Sequence, residues 1–138
     1  VADGVTLTFD TTKLLAAFDV LTSVVAKGEL EACHITALNI AAEARARVAR
    51  RHDPTQAQLA RPPLEELIRV EPLANGTGYA VIVQEPAGDA EYLPFYLEFG
   101  TKAMAKRVFF FAAATLEKAA HLARINAAAQ AAIDAVSQ

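Results

Sequence analysis

Alanine recurs at helical spacing through two long stretches, 29–51 and 109–136, and this constrains the fold more than any other feature of the chain. Alanine favours helix but removes little area from water per residue. Helices of this kind pack closely and leave a modest core, so such a subunit gains much of its burial from neighbours. In the first stretch Leu30, Cys33, Ala37, Ile40, Ala44 and Val48 fall at steps of three and four, which predicts a helix from about Glu29 to Arg51. A preceding helix is predicted from Asp10 or Thr11, with Leu14, Phe18, Leu21 and Val25 on one stripe and Gly28 as its end. The alanine-dense run from Phe109 to Val136 predicts a long C-terminal helix.

Strand signals lie at the start and in the middle. Val5–Phe9 alternates in the strand period. Leu64–Leu73 and Tyr79–Gln84 flank an Asn75-Gly76 turn and predict a hairpin over about 66–84. Pro54 and Pro62-Pro63 mark an irregular connector, and Pro86 and Gly88 break the chain before the aromatic segment Tyr92–Phe99. The expected fold is α+β: a small antiparallel sheet of three to four strands packed with two or three helices, the last one long. At 138 residues the chain is expected to form a single domain, 1–138.

A net charge of −3 provides no global field toward DNA or an anionic membrane. The single cysteine, Cys33, closes no disulfide within the chain, and no apolar run approaches the roughly 20 residues of a membrane helix. The chain is therefore expected to be made as a soluble cytosolic protein.

Chemistry-bearing residues do not converge. His34, His52 and His121 fall on different elements without a metal-ligand spacing, and are read as solvent-facing or helix-end residues. Cys33 and His34 are helix neighbours about 100° apart, which makes Cys33 a small core residue and not half of a thiolate pair. The carboxylate pairs Glu29/Glu31 and Glu65/Glu66 diverge, and no phosphate loop or nucleophile motif is present. The expectation is no catalytic residue, no metal and no cofactor. Arg47, Arg50 and Arg51 share one side of a helix; they are read first as charge complementing the helix dipole, and second as a face that could line a DNA channel. Phe109, Phe110 and Phe111 cannot all face one way, so at least one should leave the core. The first either caps the sheet from the loop, or the group supplies an anchor for a neighbouring subunit.

The segment Tyr92–Thr101, YLPFYLEFGT, resembles the signature of the phage tail-component family of tail-completion, or head-tail joining, proteins. That family shows a tyrosine and then a hydrophobe-Glu-aromatic-Gly-Thr run, matched here by Leu97, Glu98, Phe99, Gly100 and Thr101. Leu64 and Ile68 keep a family spacing into a strand, although Arg61-Pro62-Pro63 stands where the family has Thr-Gly. Val108-Phe109 through Ala113 stands where its C-terminal helix begins. Physically the signature reads as a corner: Gly100 permits the turn, Glu98 and Thr101 bond the donors around it, and Phe95 and Phe99 pack beneath.

The resemblance implies a structural protein of a bacteriophage virion or phage-derived particle, in the neck or upper tail, without a reaction. Such a subunit forms a head-to-tail ring of copies, sixfold to match a tail tube, and joins head-closure, tail-terminator or tail-tube proteins around passing DNA. Tyr92, Phe95, Leu97, Glu98, Phe99, Gly100, Thr101 and Phe109–Phe111 would form the corner or subunit interface. The competing expectations are a small helix-rich nucleic-acid-binding or regulatory domain, and an enzyme without a recognisable motif.

Overall fold

The structure is a computed structural model that describes residues 10–48, 63–83, 98–100, 102 and 105–138. Five elements follow in order: α1 (Thr11–Arg47), α2 (Leu64–Leu67), β1 (Ile68–Pro72), β2 (Tyr79–Val83) and α3 (Phe110–Val136). The architecture is α+β, with a two-stranded antiparallel sheet and a long C-terminal helix. No third or fourth strand lies among the described residues, and the expected strand Val5–Phe9 falls outside them.

Two helices were expected where one stands. Helix α1 runs 37 residues without interruption, about 55 Å at 1.5 Å per residue. It starts at Asp10, whose carboxylate accepts from Lys13 N at 3.3 Å. Gly28 does not end it. A Cβ built on Gly28 would lie 2.9 Å from Ala128 Cβ on α3, so the glycine is there to let two helices touch. The cost of glycine inside a helix, about 1 kcal/mol, is offset by that close approach.

From this contact the two long helices run antiparallel. Residues Ala32, Thr36, Ala37, Ala41 and Ala44 are buried on α1, and Ala113 and Ala132 on α3. The seam is therefore one residue off the expected stripe in places: Ala37, Ala44 and Val48 face inward, while Cys33 is only half-buried. Small residues fill the seam, and polar ones cross it. Thr36 Oγ1 lies 2.9 Å from His121 Nδ1 and accepts from Arg124 Nη1 at 2.8 Å; Arg124 also bonds Glu117 Oε2 at 2.9 Å, and Asn39 reaches the same oxygen at 3.4 Å. His121 is thus a partner within the helix pair, neither solvent-facing nor at a helix end.

The larger apolar side chains gather at one end. Val48, Leu64, Ile68 and Phe109 pack with Ala41, Ala44 and Ala113, where the hairpin meets both helices. Leu64–Leu67, expected as strand, forms a single helical turn, and the strand begins at Ile68. Arg45 pins this junction by donating to the carbonyls of Ile68 at 2.6 Å and Glu65 at 3.3 Å. In the hairpin Val70 pairs with Val81, and Pro72 with Tyr79. The Asn75-Gly76 turn forms as expected: Gly76 has φ 69, its N–H donates to Leu73 O at 2.9 Å, and Asn75 Oδ1 accepts from Thr77 N at 3.1 Å.

Placing a methyl at the helix contact should cost more than it gains. Overpacking by one carbon against backbone-proximal Ala128 costs about 1–3 kcal/mol, against the propensity gain of about 1 kcal/mol. Gly28→Ala is expected to lower the thermal midpoint in far-UV circular dichroism, and adding Ala128→Gly to recover part of the loss. A higher midpoint for Gly28→Ala alone would show that the helices do not meet there.

Candidate functional site

The C-terminal helix starts with a difficulty. An α-helix leaves its first backbone N–H groups without intrahelical acceptors, and a serine, threonine or aspartate at the N-cap usually supplies one. Here the N-cap is Phe109, which has no oxygen to offer and is itself 2% exposed. The acceptor comes from the signature segment instead. Glu98 Oε2 accepts from Phe109 N at 2.9 Å and Phe110 N at 3.0 Å, and Glu98 Oε1 accepts from Phe111 N at 2.8 Å. The carboxylate is buried, at 6% exposure, and its negative charge faces the positive end of the helix dipole. Hydrogen bonds to an ionised acceptor are roughly twice as strong as neutral ones.

Glu98 and Phe99 have helical geometry, and Gly100 follows with φ 77, a region closed to most side-chained residues. Of the corner expected from the sequence, the turn at Gly100 is present, and two of its contacts are corrected. Glu98 bonds the start of α3, eleven to thirteen residues on, and not the donors around its own turn. Phe99 does not pack beneath: it is 56% exposed and meets Phe111 edge to face at 5.9 Å. Tyr92, Phe95, Leu97 and Thr101 lie outside the described residues.

The three phenylalanines separate as helix geometry requires. Phe109 enters the core, Phe110 is half-buried against it, and Phe111 leaves, 54% exposed. Phe110 also lines an open apolar pocket of about 280 Å³ between both long helices and β2, with Cys33, Ala37, Ile40, Tyr79 and Val81. Cys33 is thus a half-buried pocket residue and not a core one. Above it, His34 stacks on Tyr79 with ring centroids 4.4 Å apart.

The arginine face is visible only at Arg47, since Arg50 and Arg51 lie outside the described residues. Arg47 Nε is held 2.7 Å from Glu43 Oε1, one turn back on the same helix, which suits solvated charge at a helix end. The side chains of Glu29 and Glu31 stand exposed on α1, and Glu65 and Glu66 occupy the first turn of α2. Among the described residues no group of three or more His, Cys, Asp or Glu is placed to hold a metal ion, and no helix is long and apolar enough to cross a membrane.

No protein-family model matches the chain, and no curated protein or solved structure matches it significantly.

Removing the carboxylate leaves three amide groups at the start of α3, one at a buried bond and two at part-buried ones, to find other partners. An unsatisfied buried donor costs about 1–3 kcal/mol, so Glu98→Ala is expected to destabilise the fold by about 1–3 kcal/mol in urea unfolding, with Glu98→Gln intermediate. The amide protons of Phe109, Phe110 and Phe111 should lose hydrogen-exchange protection in both variants. Unchanged protection there would mean that Glu98 is not their acceptor.

Proposed function

We propose that this chain is a structural subunit of the head-tail connection of a bacteriophage or phage-derived particle, acting by self-assembly in a neck or tail-completion ring. The observation that carries this reading is the use made of Glu98. The signature's charged side chain has its two oxygens committed to three backbone donors. A carboxylate so engaged holds two segments of chain together, and its chemistry is architectural. Glu98 of the segment resembling the tail-component signature is thereby tied to the start of the C-terminal helix, which gives a physical reason for the two motifs to occur together.

Exposure supports the same reading. Leu14, Leu15 and Phe18 near the start of α1, Phe99 and Phe111 at the corner, and Leu116 and Leu122 along α3 are each more than half exposed. Apolar surface of this kind serves contacts with other chains. The ring, sixfold in this proposal, would lie in the virion neck or upper tail between head-closure and tail-terminator or tail-tube proteins. A sheet of three or four strands, extended by Val5–Phe9, belongs to the same proposal. So does the single domain.

Electron microscopy of particles purified with this protein tests the reading: a ring of copies between capsid and tail is expected, and particles whose neck lacks the protein would overturn it. The arginines are assigned charge at a helix end and no DNA contact. Reversing Arg47, Arg50 and Arg51 to glutamate should leave DNA retention unchanged, with about 0.4–1 kcal/mol lost as the Glu43 attraction becomes a repulsion; particles that lose their DNA would place this face on the channel.

A further inference from the structure

We draw no further inference here: the strongest candidate, the exposed apolar stripe of Leu14 and Phe18 on the first turns of α1, carries nothing, because nothing in the structure shows what covers it.

Discussion

A buried carboxylate at the head of a helix organises this molecule. Glu98 faces three backbone N–H groups at 2.8–3.0 Å, and through them it fixes where α3 begins and ties Glu98–Gly100 to that start. The geometry frees the N-cap position from its usual duty. With an oxygen brought in from elsewhere, Phe109 can occupy that position and insert into the core, where it meets Ile68, Leu64 and Val48. One ring buried there is worth about 1.5–3 kcal/mol. The cap and the core contact are coupled, because an ordinary serine cap would forfeit the buried ring.

The second organising constraint is thinness. Where Ala41, Ala44 and Ala113 are fully buried and Gly28 touches Ala128, the helices approach too closely for branched side chains between them. Such a seam removes little apolar area, and the polar cluster of Thr36, Asn39, Glu117, His121 and Arg124 inserted in it adds direction more than burial. Paired polar groups of this type fix register, because sliding one helix by a turn would leave several of them without partners. An alanine seam alone would tolerate that slip.

Legibility in the sequence followed the reach of each interaction. Asn75-Gly76 forms a turn through bonds within two or three residues, and its composition announces it. The C-terminal helix, the helical character of α1 though not its continuity, and the mixed α+β class were likewise readable from spacing. Gly28 was misread as a stop because the signal for its role sits a hundred residues away at Ala128, and nothing local separates a terminating glycine from one permitting a close approach. Leu64–Leu67 reads as strand for a related reason: four apolar and acidic residues suit either period, and Arg45 from α1 fixes the chain there by donating to the carbonyls of Glu65 and Ile68. The signature's glutamate was visible as part of a corner, but its partners were not, since eleven residues separate it from the first of them.

The alanine seam also leaves large apolar side chains in water. A fold whose helix seam is made of alanine has few large side chains inside: among the described residues the buried apolar ones larger than alanine are Val48, Leu64, Ile68 and Phe109. The leucines and phenylalanines it does carry stand mostly outward, on the early turns of α1, along α3 and at the Glu98 corner. In the proposed assembly neighbours would cover this surface, so that folding and association would share one free-energy balance. The carboxylate cap would then matter twice, because it also sets where Phe111 leaves the helix, and a surface held in its bound geometry loses less entropy on binding than one that must be ordered.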